Sequence, residues 1–515
     1  MSEFKIKEKT YLSLNDPFFN EIYEVENGIP VFKYFLNGEW RKSDDRSKIF
    51  SPIDYNIIAY LSRPSENEVE KAINEMYKVG KWKIRDLPGD QRLKAIEKMA
   101  DLLEKHKDAI IDSLVINAGK PYNSAKGEVD ATIERLRKAP LDLRKIVGDL
   151  IPGDWSTEAL ETEALIRREP YGISLIIIPF NYPLFDSANK ITYTILPGNA
   201  LILKPPSSDP IPSLFLLKIA LEAGIPKESI GLITIPGRSM SKVISNNKIS
   251  IINLTGSTET GIEVMKEAGV KQFIMELGGG DPAIVLSDSD VNWAAERISL
   301  AITSYSGQRC DSVKLILAEN NIYEELKNKI VNELSKVKIG DPRDKSVSMG
   351  PLIDKSSADQ WEEGVKDAIA KGCKIIYGGK RINETFIEPA LIECEQIDKI
   401  KDLITYKEEI FSSIAIITKF NDLNQAIELS NGRRYGLDAS IFGKDVNKIR
   451  KLVRFLEVGA IYINDMPKHG INYYPFGGRK DSGIGREGIG YSIEQVTAMK
   501  SIVYNYKGKG VWDYI

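Results

Sequence analysis

ISLIIIPFNYPLFDSANKITYTILPGNALILKPPSS, Ile173 to Ser208, is the stretch that decides the fold. It opens on a near-continuous Ile/Leu run, passes through helical spacing over Asp186–Leu196, and returns to a second apolar run that ends at Lys204. Apolar runs without polar alternation are strands covered on both faces, and a helix between two of them is the crossover that parallel neighbours need. The pattern continues outward. GLITIPG and ISIINLTG read as further strands, with helices over Ile211–Ala223 and Met240–Asn246. A second series starts near Phe273 and runs through AIVLS, VKLILAE, CKIIYGG, SSIAIITK, ASIFG and GAIYIND, again with helices between. The expected fold class is α/β, with two parallel-sheet domains meeting near Glu276. Upstream, Phe32–Lys42 carries an Asn-Gly hairpin turn, and Glu68 to about Val147 is helical by its apolar spacing. LIPGDWSTEALETEALIRREPYG breaks that spacing as a connection or short hairpin, and SIEQVTAMKSIVYNY closes the chain as a helix and a strand.

Composition narrows the function. The chain has 515 residues, 42% hydrophobic and 28% charged, with a net charge of −3, which is ordinary for a soluble globular protein and gives no reason to expect a nucleic-acid or anionic-membrane partner. MSEFKIKEKTYLSL lacks an apolar core of the signal-peptide kind and no membrane-length apolar span follows, so a cytoplasmic location is the default expectation. The three cysteines include no CxxC pair, which argues against a disulfide framework or a cysteine zinc site. Only two histidines are present, His106 and His469. No His-rich metal site fits, no metal is expected, and a general base is sought among carboxylates and lysines.

Cys310, in ITSYSGQRC, is the candidate nucleophile. The run Trp293–Ser306 has helical spacing and Gly307 suits a left-handed helix end, so Cys310 is expected on a helix-to-strand turn that can project into a cleft. A lone cysteine is ordinarily a small buried hydrophobe, but Arg309 and the turn favour reactivity here. A helix C-terminus disfavours a thiolate, so another positive charge is needed. A bound oxidised nicotinamide would supply it.

The remaining motifs provide for such a ligand. LTGSTETG ends a strand and opens a helix, so the backbone at Gly256 and Ser257 can face a pyrophosphate. Lys204 ends its strand where sheet ligands bind. Ser207 leaves room for a 2′-phosphate where an acid would select a free hydroxyl, and Arg238 of PGRSM could pair with that phosphate. PFNYP puts Asn181 at the tip of a proline-flanked turn, an amide suited to a developing oxyanion. MELGGGDP sets Glu276 among apolar neighbours, where it either pairs with a cation or serves as a base of raised pKa. YKEEIFSS offers Glu408, Glu409 and Phe411.

In this order PFNYP, LILKPP, LTGSTETG, MELGGGDP, SGQRC, EEIF and PFGGRKDSGIGREG resemble the aldehyde dehydrogenase superfamily, over about residues 35 to 505. YSGQRC, FNYP, KPPS and NYYPFGG look most like its non-phosphorylating glyceraldehyde-3-phosphate dehydrogenase branch. The resemblance implies Cys310 as nucleophile, Asn181 as oxyanion amide and Glu276 as general base. It implies cofactor contacts at Ile177, Ile178 and Phe180, at Lys204 and Ser207 for the adenosine ribose, and at Gly237 and Arg238. Gly256 and Ser257 would take the pyrophosphate, Glu409 the nicotinamide ribose, Phe411 would lie near the nicotinamide ring, and Leu277 is a further implied cofactor contact. NADP is favoured and NAD is possible. The implied layout is a dinucleotide-binding domain of residues 1–151 and 168–275, a catalytic domain of 276–490, and an oligomerisation hairpin of 152–167 with 491–515 that makes a homodimer or homotetramer.

Two departures stand out. Ser412-Ser413 replaces the usual Gly-Pro after EEIF, and Ala131 and His469 stand where the phosphate-accepting branch has arginines. Arg135, one helical turn past Ala131, could substitute, as could Arg137 or Lys468, while Arg309 and Tyr182 are retained. The expected reaction is NADP-dependent, irreversible oxidation of glyceraldehyde 3-phosphate to 3-phosphoglycerate through a Cys310 thioester that water, activated by Glu276, hydrolyses. Succinate semialdehyde or glyceraldehyde are alternative substrates, and a thiol esterase or acyltransferase is the alternative class.

Overall fold

The structure is a computed structural model and describes residue 6 and residues 8–507. The strands between Ile173 and Glu276 form one sheet, in the order Gly483–Ile484, Gln272–Glu276, Ile251–Thr255, Ile173–Ile177, Ala200–Lys204, Ile230–Leu232, Tyr34–Leu36 and Glu39–Arg41. Its central strands are parallel. Chain order reverses between Ile173–Ile177 and Ile251–Thr255, and at such a reversal the crossovers leave in opposite directions and open a crevice at the carboxyl ends. Register sets Ile177 beside both Lys204 and Leu254, and Thr255 beside Glu276. The motifs that end these strands therefore arrive at one edge. The outer hairpin turns at Asn37 and Gly38, with φ of 53° and 80°, the left-handed pair that matches strand twist.

A second sheet runs Lys374–Gly378, Ala390–Glu393, Ile414–Phe420, Val313–Glu319, Asp281–Val285, Asp438–Phe442 and Ala460–Ile463. It is parallel except for the antiparallel pair at its first edge. Glu276 ends the first sheet and Asp281 begins the second, so four residues cross between them. That crossing requires bare backbone. A Cβ on Gly279 would lie 2.0 Å from the Cys310 carbonyl oxygen, and one on Gly280 would lie 2.4 Å from an Arg433 guanidinium nitrogen.

Several expectations need correction. The helix before Cys310 is Val291–Thr303, not a run to Ser306. Gly483–Ile484, inside the span read as catalytic domain, pairs antiparallel with Gln272–Glu276 and belongs to the first sheet. Against the expectation of no disulfide framework, Cys373 and Cys394 are joined as a disulfide across the edge hairpin, with Cα atoms 4.9 Å apart. Thr497–Asn505, Thr162–Pro170 and Asp149–Pro152 form a separate antiparallel sheet that leaves Met499 69% and Leu150 62% exposed. Among the described residues no helix is long and apolar enough to cross a membrane.

Candidate active site

The chain reaches Cys310 through a left-handed run: Tyr305, Ser306 and Gly307 have φ of 48°, 59° and 71°. Each non-glycine residue in that region costs about 1–3 kcal/mol, so neighbours must hold it there. The Tyr305 hydroxyl donates to the Ala118 carbonyl at 2.9 Å, and the Ser306 hydroxyl donates to the Gly350 carbonyl at 2.8 Å. At Gly307 a Cβ would stand 2.4 Å from the Ser412 backbone. The run turns Cys310 into a cavity, half-buried, while Arg309 and Asp311 on either side are buried. Burial pushes the thiol well above its usual pKa, and the Asp311, Glu409, Asp186 and Asp281 carboxylates push the same way.

The cavity measures about 330 Å³ and is lined by Cys310, Asn181 and Glu276 together, with Tyr182, Arg309 and His469 among its other walls. Asn181 is fixed from behind. The buried Lys120 ammonium donates to the Asn181 carbonyl at 2.6 Å and pairs with Glu128. Glu128 in turn accepts the backbone N–H groups of Leu184 and Phe185, at 3.0 and 3.1 Å, in the first turn of the helix Pro183–Ile195. Sequence reasoning missed this pair, because Lys120 and Glu128 read as ordinary charges in a helical region.

Glu276 is 3% exposed, and neither carboxylate oxygen has a hydrogen-bond partner among the described residues. Burial raises its pKa well above the carboxylate range, and Glu487 adds to the rise against the pull of Lys190 and Arg486. A buried carboxyl without partners is a group kept free to take a proton. Near it, Lys190 pairs with Glu487 and donates to Asn253 Oδ1 at 2.9 Å, and the Tyr193 hydroxyl donates to Glu487 at 3.2 Å. Glu487 lies in the PFGGRKDSGIGREG motif, whose acid had no assigned role, and Lys190 carried no signal within its helix.

The residues proposed to hold a dinucleotide fit one. Lys204 is 8% exposed at its strand end, donates to the Ser207 hydroxyl at 3.2 Å, and is pushed by burial down to about 8, a cation short of partners. Gly256 precedes the helix Thr258–Ala268, whose N-cap Ser257 accepts the Thr260 N–H at 3.2 Å, so the Ser257 hydroxyl already serves the helix and the turn offers its backbone. Gly237 and Arg238 are exposed on the short turn Gly237–Ser239. Glu409 Oε1 accepts the Gly279 N–H at 2.8 Å, and burial pushes this carboxyl up to about 7. Phe411 meets Phe180 edge-on, with ring centroids 5.7 Å apart, so the loop after Ile173–Ile177 and the loop before Ile414–Phe420 meet through these rings. Ile177 is half-buried, while Ile178 and Leu277 are buried at 3% and 4% exposure. With Ser412-Ser413 in place of Gly-Pro, the loop is held through its carbonyls, Lys314 donating to Ser412 and Trp361 to Ser413.

The cations named for a substrate phosphate are mostly engaged elsewhere. Arg135 does not serve: it is fully buried, donating to Asn189 at 2.6 Å and to Asp142 at 2.9 Å, and it is absent from the cavity wall. Arg309 lines the cavity but pairs with Asp311 at 2.6 Å and donates to the Pro467 carbonyl at 3.1 Å. Lys468 pairs with Asp465, and Arg137 is on the surface, 3.8 Å from Asp101 and Glu104. His469 Nε2 lies 3.7 Å from Cys310 Sγ and 3.1 Å from Asp311 Oδ2. Asp311 was not foreseen. Burial would raise it, but Arg309 and His469 pull its carboxyl down to about 2.

A doubly wound sheet whose crevice opens onto a thiol, an amide and a free carboxyl is the layout of an oxidoreductase that works through a cysteine. The chain belongs to the aldehyde dehydrogenase family, which it matches over residues 40–502. It is 35% identical over 478 residues to a lactaldehyde dehydrogenase of Methanococcus aeolicus, covering 92% of this chain and 100% of that one. It is 34% identical over 476 residues to an NADP-dependent glyceraldehyde-3-phosphate dehydrogenase of Streptococcus equinus, covering 92% and 98%. Among solved structures, it superposes on a glyceraldehyde-3-phosphate dehydrogenase of Methanocaldococcus jannaschii complexed with NADP with a TM-score of 0.84 at 32% identity, covering 90% of this chain and 100% of that one.

Proposed function

We propose that this aldehyde dehydrogenase uses NADP to oxidise a small, uncharged hydroxyaldehyde of the lactaldehyde or glyceraldehyde kind to its acid, with Cys310 as nucleophile. What carries the assignment of roles is the single cavity that Cys310, Asn181 and Glu276 share. Cys310 Sγ adds to the aldehyde carbon and the carbonyl electrons move to oxygen. The Asn181 amide, backed by Lys120, donates to that oxyanion, an interaction worth about 3 kcal/mol. The nicotinamide that Glu409 and Phe411 would hold would supply the hydride acceptor, so that Cys310 would be left carrying the acyl group as a thioester. Glu276 takes a proton from water, and the resulting hydroxide releases the acid. Lys204 and Ser207 hold the adenosine end, with space for a 2′-phosphate.

The substrate class follows from charge. The cations on the cavity wall, Arg309 and Lys468, are both neutralised by carboxylates, and Glu128, Asp186, Glu276 and Glu487 share the lining. A phosphate dianion would meet no unpaired cation there. The similarity to lactaldehyde dehydrogenases supports the same class, and that to glyceraldehyde-3-phosphate dehydrogenases keeps the phosphorylated aldehyde as the competing substrate. We further propose that the Asp149–Pro152, Thr162–Pro170 and Thr497–Asn505 sheet, which leaves Leu150 and Met499 exposed, joins a second copy of the chain. Reduced-cofactor absorbance, followed with NADP and with NAD across lactaldehyde, glyceraldehyde, succinate semialdehyde and glyceraldehyde 3-phosphate, tests the substrate. A higher kcat/KM for the unphosphorylated hydroxyaldehydes is expected, and a preference for glyceraldehyde 3-phosphate would refute the charge argument.

A further inference from the structure

We propose that Cys310 Sγ, His469 Nε2 and the Asp311 carboxylate form a site for a divalent cation of the zinc class, with a water as fourth ligand, and that the bound ion blocks the nucleophile reversibly. The site rests on the geometry of these three groups, and the block rests on the assignment of Cys310 as nucleophile. The three donor atoms lie within 4.8 Å of one another. His469 Nε2 stands 3.7 Å from Cys310 Sγ and 3.1 Å from Asp311 Oδ2. Around a tetrahedral zinc of ordinary bond lengths, sulfur and nitrogen lie about 3.6 Å apart, and nitrogen and oxygen about 3.4 Å apart. The donors are also held from behind, as a metal site requires. Arg309 donates to Asp311 Oδ2 at 2.6 Å and to the Pro467 carbonyl at 3.1 Å, so it fixes both the carboxylate and the segment that carries His469. Phe476 meets the imidazole edge-on, with ring centroids 3.4 Å apart. A carboxylate oxygen has two lone pairs, so Oδ2 can keep Arg309 while it binds an ion, and Oδ1 is buried without a hydrogen-bond partner among the described residues.

Nε2 can hold a proton or a metal, not both. Without the ion it carries the proton that it donates to Asp311, and the thiol keeps its own. On binding, the S–H bond breaks and an S–Zn bond forms. The thiol proton goes to solvent, the ring proton moves to Nδ1 by way of solvent, the imidazole stays neutral, and zinc remains divalent. Burial and nearby carboxylates oppose a bare thiolate at Cys310, but coordination to a metal removes a thiol proton outright. The same carboxylates favour a cation. Asp311, Glu409, Asp186 and Asp281 act on the thiol, and Glu128, Glu276 and Glu487 line the cavity, whose cations Arg309 and Lys468 are already paired. A thiolate and an imidazole select zinc over magnesium and calcium, which take oxygen donors. An arginine at position 469, which the family resemblance implies for the phosphate-accepting branch, has no lone pair to give a metal. Histidine there completes the set of donors.

The test is titration of the chelator-stripped, dinucleotide-free enzyme with cobalt(II) and zinc(II). Cobalt should saturate a single site, with a near-ultraviolet sulfur-to-cobalt charge-transfer band and the visible bands of a tetrahedral centre, and zinc should displace it. The charge-transfer band should vanish in Cys310→Ser. Zinc affinity should fall in His469→Gln by more than about 100-fold, the most that losing a ligand's outer support ordinarily costs, and should fall in Asp311→Asn as well. Each variant is checked by circular dichroism and NADP binding. Zinc at the occupancy that fills the site should inhibit aldehyde oxidation by the wild type, EDTA should restore it, and magnesium should have no effect. A cobalt spectrum without the sulfur band, or unchanged zinc affinity in a folded His469→Gln protein, would overturn the site. Full activity with the site loaded would overturn the block. Aldehyde oxidation surviving in Cys310→Ala would overturn the nucleophile and the block together, while the cobalt spectrum of the wild type would still decide the site.

Discussion

Replacing Lys120 with methionine should cripple catalysis without touching any group that contacts substrate. The Lys120 ammonium is 1% exposed; it pairs with Glu128, donates to the Asn181 carbonyl at 2.6 Å, and lies 4.2 and 4.4 Å from the ring centroids of Tyr182 and Tyr305. Methionine fills similar volume but leaves the Glu128 carboxylate buried with only the Leu184 and Phe185 N–H groups. Breaking a buried pair from one side costs about 3–5 kcal/mol. The cost falls on the turn that carries Asn181, and a displacement of about 1 Å there reduces turnover by about 10²-fold. Denaturant unfolding and steady-state kinetics separate the two effects. Lys120→Met should lose stability and kcat together, whereas Lys120→Met with Glu128→Gln should regain most of the stability, because no charge is stranded, and little of kcat, because the Asn181 carbonyl still lacks its donor. A single variant with wild-type kcat, or a double variant that restores kcat in full, would refute the positioning role of Lys120.

Glu276→Gln should release one equivalent of NADPH in a pre-steady-state burst and then stall at the thioester; normal steady turnover would exclude Glu276 as the base. In the wild type, the raised Glu276 pKa moves ionisation of the base to higher pH, so deacylation should rise with pH, and stopped-flow measurement of the second phase checks that sign. Lys204, pushed down to about 8, carries its charge below that pH and loses it above, so NADP affinity should weaken from pH 7 to pH 9, and Lys204→Met should bind weakly with the slope abolished. The Cys373–Cys394 bond closes a 21-residue separation, for which chain entropy gives about 3 kcal/mol; the Cys373→Ser/Cys394→Ser protein should unfold at lower denaturant and be indifferent to reductant.

The strands were legible where sequence and environment agree. Ile173–Ile177, Ala200–Lys204 and Val313–Glu319 are apolar runs because both faces of their sheets are covered, and Asn37-Gly38 announces a turn that few other residues adopt. Site residues were legible where a motif carried them to a strand end. What remained hidden depends on partners distant in the chain. Helical spacing places Arg135 one turn from Ala131, yet its direction is set by Asp142 and by Asn189, which lies 54 residues away. The disulfide was hidden because Ala390–Glu393, between Pro389 and acidic neighbours, gives no strand signal; without that strand, nothing places Cys394 across from Cys373. Tyr305 and Ser306 have no propensity for left-handed backbone, and the Ala118 and Gly350 carbonyls that hold them belong to other segments. His469 was visible as a departure from a phosphate ligand. Its relation to Asp311 and Cys310 was not, because 159 residues separate it from the thiol.

The charge argument about substrate can be inverted. Ala131 lines the cavity from the helix Tyr122–Arg137, is half-buried, and occupies a position where the family resemblance implies an arginine. In Ala131→Arg the new guanidinium would enter a wall whose other cations, Arg309 and Lys468, are already paired with Asp311 and Asp465, so it would remain available to a ligand. A hydrogen bond to a charged group is worth about 1.5–3 kcal/mol, or about 10- to 150-fold in kcat/KM. The ratio of kcat/KM for glyceraldehyde 3-phosphate to that for glyceraldehyde should rise by that factor, and high salt should reduce the gain, because the cavity opens to solvent. A neutral Ala131→Gln of comparable reach separates charge from bulk and should leave the ratio near that of the wild type. If Ala131→Arg leaves the ratio unchanged while Ala131→Gln behaves likewise, phosphate discrimination does not reside in unpaired charge at this wall.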